Sequence, residues 1–335
     1  MGRRDGRGEC RPAREPRALR QAGAGVQVHS RRARYRPVSG GEAVPGPAQL
    51  HLALAQWRHW QCEPALTRAP ELVHALSGGL SNRSYLVREG QHRFVVRLDG
   101  VDPARHCLDR HAEWQTLQCA AAAGIAPTPR YFNPQLGVLV CDYLAADPDQ
   151  RVTLEDLAQL LRQVHALPAH AHRLNLREQV DHYERLIRRF DLHPNTYRSL
   201  QLSMWRHFVE TSEPVLCHND LLPANLLRSS GRLYALDWEY AAMGDRWFDL
   251  AGCVLGQKIA PGEEADFLTV YLGRAASEEE RLHLQRHRCL CRYIEYLWHA
   301  TENPPEKLPF LRERHEPPLI AELTSLGRLI SRGSY

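Results

Sequence analysis

The chain has 335 residues, of which 43% are hydrophobic and 24% are charged, and it carries a formal net charge of +4. This composition is ordinary for a globular protein and excludes a fibrous repeat or a largely disordered chain. The apolar runs are far shorter than the roughly 20 residues that cross a bilayer, so we expect no membrane span. A single core seldom grows much beyond about 250 residues, so the length favours two lobes.

Most of the basic charge lies in residues 1–47. They contain eleven arginines and four acidic residues, and they show no hydrophobic period. We therefore expect a disordered, arginine-rich extension over this range. An arm of this kind could bind RNA or anionic lipid. No stacking aromatic motif interleaves with the arginines, however, so we expect no nucleic-acid partner.

The nine cysteines are scattered along the chain without a Cys-x-x-Cys pair. Such positions are typical of small buried hydrophobic residues in a reducing compartment. The first residues also lack the apolar segment of a secretory leader. We therefore predict a cytoplasmic protein.

The folded part begins with a predicted N-terminal lobe over residues 48–144. A helical period of apolar residues predicts a helix over 49–62. Strands are predicted at 72–77, 85–87 and 93–98. Between the first two lies the turn Gly78-Gly79-Leu80-Ser81-Asn82-Arg83-Ser84. Its glycine pair would let backbone N–H groups approach an anion, although taken alone the stretch is simply a hairpin turn.

A helix over 109–123, closed by Gly124, and a strand over 136–144 complete this lobe. The helix carries Glu113, and the strand before it carries Arg97. The last residues of this strand resemble a kinase hinge, whose backbone would bind an adenine, and this resemblance places the expected domain boundary near residue 144.

The C-terminal lobe, residues 145–335, is predicted to be mostly helical. The sequence Thr153-Leu154-Glu155-Asp156 resembles a capping box, and leucines follow it at helical spacing. Another helix should open at Gly244-Asp245. Further amphipathic helices are predicted at 178–190, 196–211, 263–273, 277–300 and 316–330.

Several polar and acidic residues that could carry out chemistry lie at the ends of two predicted apolar strands of this lobe. The first strand ends at His218, Asp220 follows in a turn, and Asn225 comes five residues later. The second strand delivers Asp237 and Glu239. The spacing H-x-D-x-x-x-x-N matches the kinase catalytic loop, in which a carboxylate accepts the proton of the attacking hydroxyl and oxygen ligands hold magnesium.

These residues suit the roles that phosphoryl transfer requires. Asp220 suits the proton acceptor, and Asn225 and Asp237 suit metal ligands. Glu239 is a further candidate ligand, or it orders the other ligands. For one motif alone, an ordinary polar turn between core strands is an equally good interpretation.

Taken together with Phe248-Asp249-Leu250 downstream, the motifs resemble the aminoglycoside phosphotransferase and choline kinase superfamily. The Asp-Trp-Glu-Tyr sequence at 237–240 is similar to the choline/ethanolamine kinase and bacterial thiamine kinase branches. The resemblance implies an α+β, protein-kinase-like two-lobed fold, with a small antiparallel β lobe containing one helix and a larger, mostly helical lobe.

The resemblance also implies ATP and Mg²⁺ as cofactors, and a nucleotide site in the first lobe. Kinases carry a lysine on the third strand, but the lysines of this chain are Lys258 and Lys307, so Arg97 would take that place and pair with Glu113. By the same resemblance, His218 and Asp249 support the catalytic loop. The implied nucleotide-contacting residues are Gly78, Gly79, Ser81, Asn82, Arg97 and Glu113.

The acceptor implied by the resemblance is a small cationic alcohol, most simply choline or ethanolamine. Thiamine is the next alternative, then an aminoglycoside or a sugar. Aromatic faces can hold a quaternary ammonium or a thiazolium by cation–π attraction of about 1–2 kcal/mol. The candidate aromatic wall of the acceptor site consists of Trp238, Tyr240, Trp247, Tyr296 and Trp298. Any of these residues could instead belong to the hydrophobic core. Because the third-strand lysine is missing, a nucleotide-binding pseudokinase is the alternative from another functional class. We expect a monomer or a homodimer.

Overall fold

The computed structural model describes residues 48–76, 82–188, 205 and 213–332. The predicted disordered extension over 1–47 lies outside the described residues. So do Gly78, Gly79 and Ser81 of the glycine turn, and most of the helix predicted over 196–211.

The first half of the described chain is a five-stranded antiparallel sheet with the order β1-β2-β3-β5-β4. The strands are β1 Glu71–Leu76, β2 Asn82–Glu89, β3 His92–Asp99, β4 Pro129–Asn133 and β5 Val138–Asp142. Valine-rich strands favour the pleated, half-buried surface of a sheet. Helix α1, Ala48–Ala55, and the 3₁₀ turn Trp57–His59 precede the sheet. Trp60 packs edge-on against Phe94, with ring centroids 5.4 Å apart.

Helix α2, Arg110–Ala122, lies between β3 and β4 in the chain. It begins at Asp109, whose side chain accepts the backbone N–H groups of His111 and Ala112. The helix packs Trp114 on Phe132, with nearly parallel rings 5.4 Å apart. On its inner side, Leu117 joins a hydrophobic cluster that also contains residues of the helical half, so one core continues across the predicted boundary at residue 144.

The second half is mostly helical. Its described helices are α3 Leu154–His165, α4 Leu176–Arg188, α5 Arg246–Gly256, α6 Glu264–Leu272, α7 Glu278–Glu302 and α8 Leu308–Arg332. The predicted capping box is present, since Thr153 and Asp156 exchange hydrogen bonds at the start of α3. A second capping box, Ser277 with Glu280, starts α7. No helix among the described residues is long and apolar enough to cross a membrane.

Helix α8 differs from its predicted range of 316–330. It begins at Leu308 and contains Pro317 and Pro318 in its interior. The sequence favours a start at 316 because proline is common in the first turn of a helix and is usually excluded from later turns. The structure extends the helix because Leu311 and Leu319 are both buried in the cluster shared with α7.

Two short two-stranded sheets position the segment that carries the candidate site. Strand β6, Val215–Cys217, pairs with β9, Ala242–Gly244, and β7, Leu226–Ser229, pairs with β8, Arg232–Ala235. Both pairs are antiparallel. The loop after β6 and the loop after β8 therefore lie side by side, which brings residues 218–225 next to residues 236–241.

Candidate active site

Asp249 of α5 holds the start of the loop after β6, residues 218–225. Its Oδ2 accepts the backbone N–H of His218 at 2.8 Å, and its Oδ1 accepts that of Asn219 at 2.9 Å. His165 Nε2 lies 3.1 Å from the same carboxylate. Burial alone would raise the pKa of Asp249, but the contacts with His165 and His218 hold it below its usual value. An ionised carboxylate therefore fixes this loop.

His218 lies beneath the loop and does not face the cleft. It is fully buried, and its ring packs 4.6 Å from the ring of Trp238. Its Nε2 donates to the carbonyl of Leu236 at 3.1 Å, which ties the two catalytic loops together. Burial lowers the pKa of His218 to about 4, so the ring is neutral at pH 7. The geometry suits structural support of the loop.

Asp220 and Asn225 meet at the front of this loop. The side-chain amide of Asn225 donates to Asp220 Oδ2 at 2.7 Å and to the Asp220 backbone carbonyl at 2.9 Å. Burial, and then the charges of Asp237 and Glu239, raise the pKa of Asp220 well above its usual value, although the bond from Asn225 opposes them. Since the amide nitrogen of Asn225 faces Asp220, its side-chain oxygen is directed elsewhere.

Asp237 occupies the neighbouring loop in a strained conformation. Its φ of 61° lies in the left-handed region, which non-glycine residues seldom adopt and which is concentrated at functional sites. Its Oδ1 accepts from Arg97 Nη1 at 2.9 Å. Burial, and then Glu239, raise the pKa of Asp237 to about 7.

The ion pair expected between Arg97 and Glu113 is present. Arg97 Nη2 donates to Glu113 Oε2 at 2.8 Å, and both side chains are buried. Burial would raise the pKa of Glu113, but Arg97 and then Arg110 hold it below its usual value. Arg97 thus links helix α2 to the loop of Asp237, so the two halves of the molecule meet at this guanidinium.

A second buried arginine enters the site, and the sequence reasoning missed it. Arg110 Nη1 donates to Glu113 Oε2 and to Glu239 Oε2, each at 2.9 Å. Asn82 Nδ2 donates to the same Glu239 oxygen at 3.0 Å. The signal that could have found Arg110 is its spacing three residues before Glu113, which places both on one face of a helix.

The donor set fits a divalent cation. Among the described residues, carboxylates outnumber guanidinium groups in this cluster, and burial and mutual repulsion raise the pKa of both Asp220 and Asp237. Hard cations such as Mg²⁺ prefer carboxylate and amide oxygens. The cluster consists of Asp99, Glu113, Asp220, Asp237 and Glu239 against Arg97 and Arg110.

The predicted aromatic wall is only partly formed. Trp298 Nε1 donates to the Tyr240 hydroxyl at 2.9 Å, and both residues are half-buried. Trp238, Trp247 and Tyr296 lie inside the hydrophobic core instead of lining a cleft. That corrects the prediction for these three residues, because helical and strand spacing cannot tell a core aromatic from one that faces a ligand.

One residue beside Trp298, His106, had no signal in the sequence. His106, from the segment between β3 and α2, lies 5.6 Å from the Trp298 ring and 5.9 Å from the Tyr183 ring. Its Nε2 contacts Glu302 Oε1 at 2.9 Å. Burial lowers the pKa of His106, although Glu302 opposes the shift. Because His106 belongs to no motif and no periodic element, only the tertiary structure brings it here.

Comparison with curated proteins gives partial relatives. A protein LicA homolog from Mycoplasma capricolum subsp. capricolum is 32% identical over 98 residues, which are 29% of this chain and 39% of that protein. The thiamine kinase of Salmonella typhi is 27% identical over 220 residues, which are 62% of this chain and 74% of that enzyme. The match therefore spans less than half the length of the first of these relatives.

Solved structures share the fold over most of their length. The choline kinase LicA from Streptococcus pneumoniae superposes with a TM-score of 0.60 at 23% identity, over 76% of this chain and 95% of that one. A structure of LicA in complex with AMP gives a TM-score of 0.64 at 21% identity, over 84% of this chain and 100% of that one. The predicted kinase-like fold is thus confirmed.

One family model covers both halves of the described chain. It has the description phosphotransferase enzyme family, and it matches residues 72–285. That range contains Arg97, Glu113, Asp220, Asn225 and Asp237. The chain belongs to the phosphotransferase enzyme family.

Proposed function

We propose that this chain is an ATP- and Mg²⁺-dependent kinase that transfers the γ-phosphoryl group to the hydroxyl of a small cationic alcohol, choline or ethanolamine first. The observation that carries the proposal is the contact of Asn225 with Asp220 next to the loop of Asp237. It supports the proposal because direct phosphoryl transfer requires a proton acceptor beside oxygen ligands for a metal ion.

Asp220 is the catalytic residue of this proposal. Its carboxylate orients the acceptor hydroxyl and accepts its proton as the acceptor oxygen bonds to the γ-phosphorus. The bond between that phosphorus and the bridging oxygen breaks, and ADP leaves with the electron pair. No covalent enzyme intermediate is formed. The bond from Asn225 to Oδ2 fixes the Asp220 carboxylate, which lowers the cost of reaching the reactive geometry.

Asn225 and Asp237 would hold the magnesium, which when bound neutralises charge on the phosphate oxygens. Arg97 binds the nucleotide phosphates from the N-terminal side, and Glu113 keeps its guanidinium in place. We place the nucleotide-binding lobe at 48–144 and the catalytic and acceptor-binding lobe at 145–335. The glycine turn, with Gly78, Gly79 and Ser81, remains the proposed cover of the nucleotide.

The acceptor class follows from the surroundings of Tyr240 and Trp298. Tyr240 directly follows Glu239 in the chain, and its hydroxyl accepts a hydrogen bond from Trp298 Nε1. Aromatic faces next to carboxylates favour a cation over a neutral sugar. Relatives named LicA and a structure titled choline kinase support choline.

Thiamine is the second candidate acceptor. The match to the thiamine kinase covers 62% of this chain and 74% of that enzyme. Thiamine also combines a cationic ring with a primary hydroxyl, so the same aromatic pair would accommodate it.

The test is an ADP-release assay with MgATP against choline, ethanolamine, thiamine, an aminoglycoside and a simple sugar. We expect one of the first three to stimulate turnover at micromolar concentration. Asp220→Asn should lower kcat by at least about 1,000-fold while the ADP dissociation constant stays within about twofold, because Asp220 serves the chemical step and not nucleotide binding.

Asp266→Asn is the matched control, because Asp266 is an exposed carboxylate on α6. It should leave kcat unchanged. Turnover retained in Asp220→Asn would remove that residue from its role. ADP binding without turnover on any acceptor would replace the kinase by a nucleotide-binding pseudokinase.

A further inference from the structure

Glu239 is built into the contact between the two halves of the molecule. It is 3% exposed, and a single oxygen, Oε2, accepts from both Asn82 and Arg110. Asn82 begins β2, and Arg110 opens helix α2. Two elements of the N-terminal half thus converge on one carboxylate oxygen of the catalytic half.

The partners of Glu239 are themselves fixed. Arg110 is 7% exposed and also donates to Glu113, the residue that holds Arg97. Asn82 is 8% exposed, and its Oδ1 accepts the backbone N–H of Gly100 at 3.3 Å. A buried carboxylate that accepts charged and neutral hydrogen bonds costs several kcal/mol to leave unpaired, so this contact is held firmly.

The contact lies two residues from Asp237, whose backbone needs support. Asp237 has a φ of 61°, a conformation that persists only when its surroundings hold it. Trp238, between the two acids, is buried with its Nε1 bonded to the Ala235 carbonyl at 3.1 Å. The segment is therefore anchored at Asp237 by Arg97, at Trp238 by the core, and at Glu239 by Arg110 and Asn82.

We propose that Arg110 is a positioning residue that acts through Glu239: together with Asn82 it holds the 237–239 segment, and so sets the Asp237 carboxylate for magnesium. Glu239 then supports the metal site indirectly, by holding Asp237. Its own Oε2 accepts hydrogen bonds from Asn82 and Arg110. This inference rests on the proposed function and adds to it a residue outside the sequence motifs.

The experiment measures ADP binding by calorimetry with Mg²⁺ and with EDTA, in the full chain. In the unaltered protein Mg²⁺ should tighten ADP binding, and we call this tightening the Mg²⁺ coupling. Arg110→Gln should reduce that tightening by at least about tenfold, or about 1.4 kcal/mol, while the affinity in EDTA changes by less than about threefold. The Mg²⁺ concentration for half-maximal turnover should rise correspondingly. The acceptor KM should stay unchanged.

A double-mutant cycle tests whether Arg110 acts through Glu239. If it does, Arg110→Gln combined with Glu239→Gln should lose no more Mg²⁺ coupling than the worse single variant. Asn82→Ala should also be non-additive with Glu239→Gln. Additive losses would overturn the proposal, because independent sites add.

Arg288→Gln is the matched control. Arg288 is a mostly buried arginine, with a side chain 12% exposed, that pairs with Glu264 and Glu322 among helices α6, α7 and α8, away from the site. It should lower the melting temperature without changing the Mg²⁺ coupling. If Arg110→Gln behaves like Arg288→Gln, its role is structural only and the inference fails.

Different results contradict the proposed function and the role of Arg110. An unaltered protein that binds no ADP in the presence of Mg²⁺ contradicts the proposed function, and the inference falls with it. An unaltered protein with strong Mg²⁺ coupling that survives in Arg110→Gln contradicts the inference alone.

Discussion

The side-chain amide of Asn225 donates to both the carboxylate and the backbone carbonyl of Asp220, at 2.7 and 2.9 Å. One residue thus fixes the proposed proton acceptor by its nitrogen while its oxygen is directed elsewhere. The spacing of five residues between them is therefore a geometric requirement, because a 3₁₀ turn at Pro223–Asn225 folds the amide back onto Asp220.

Replacing Asn225 should affect both the position of Asp220 and the binding of Mg²⁺. Asn225→Ala removes the bond to Asp220 and a proposed metal ligand, so kcat should fall by about 100-fold or more and the Mg²⁺ requirement should rise. Steady-state kinetics over a range of Mg²⁺ concentrations checks this. Asn225→Asp, which keeps an oxygen ligand but repels Asp220, should keep more Mg²⁺ affinity than Asn225→Ala. Equal Mg²⁺ requirements in the two variants would exclude Asn225 as a ligand.

Removing the Asp249 carboxylate should destabilise the fold as well as the reaction. Asp249→Ala leaves the buried N–H groups of His218 and Asn219 without an acceptor, at a cost of about 1–3 kcal/mol for each such group. Urea unfolding measures this loss. Glu279→Gln, at a carboxylate whose side chain is 81% exposed, is the control and should be nearly neutral. A neutral Asp249→Ala would show that the loop is held by other contacts.

Trp298 should affect acceptor binding more than chemistry. Trp298→Phe keeps an aromatic ring but loses the bond to the Tyr240 hydroxyl. We expect the acceptor KM to rise by about three- to tenfold, since a hydrogen bond contributes about 0.5–1.5 kcal/mol, with kcat nearly unchanged. Trp247→Phe serves as the comparison, because Trp247 lies in the core against His283. A larger KM effect from Trp247→Phe would contradict this placement of the acceptor.

Stability should fall as the pH is lowered, partly through His315. Burial, then His299, Arg314 and Arg292, lower the pKa of His315 to about 4. A histidine in an unfolded chain titrates near about 6.5. Between these two values the unfolded chain binds a proton that the folded chain does not, so the free energy of unfolding decreases with decreasing pH.

His315→Leu should flatten that decrease between about pH 6.5 and 4, because it removes the titrating group. Urea unfolding at several pH values measures the slope for each protein. His51→Leu, on the exposed side of α1, is the control and should keep the slope of the unaltered chain. Parallel slopes for His315→Leu and the unaltered chain would contradict the assignment.

Much of the local structure was predictable. The strands around 85–87 and 93–98, helix α2 and the capping box at Thr153 follow from periodicity and cap residues, which act over a few positions. Helix α8 was predicted too short, because the turns around its interior prolines are held by the burial of Leu311 and Leu319 in the cluster shared with α7 and not by local preference. The aromatic wall was overestimated at Trp238, Trp247 and Tyr296 for a related reason, since burial in a core depends on distant partners.

The sequence by itself determined the family and the motif residues Asp220, Asn225 and Asp237, because the catalytic loop is a short segment whose spacing is imposed by its chemistry. The tertiary structure alone decided that Arg110 and Asn82 share Glu239, and that His106 lies beside Trp298. These contacts join residues more than 100 positions apart. They arise when two halves of the chain pack together, and no local pattern records which side chains will meet there.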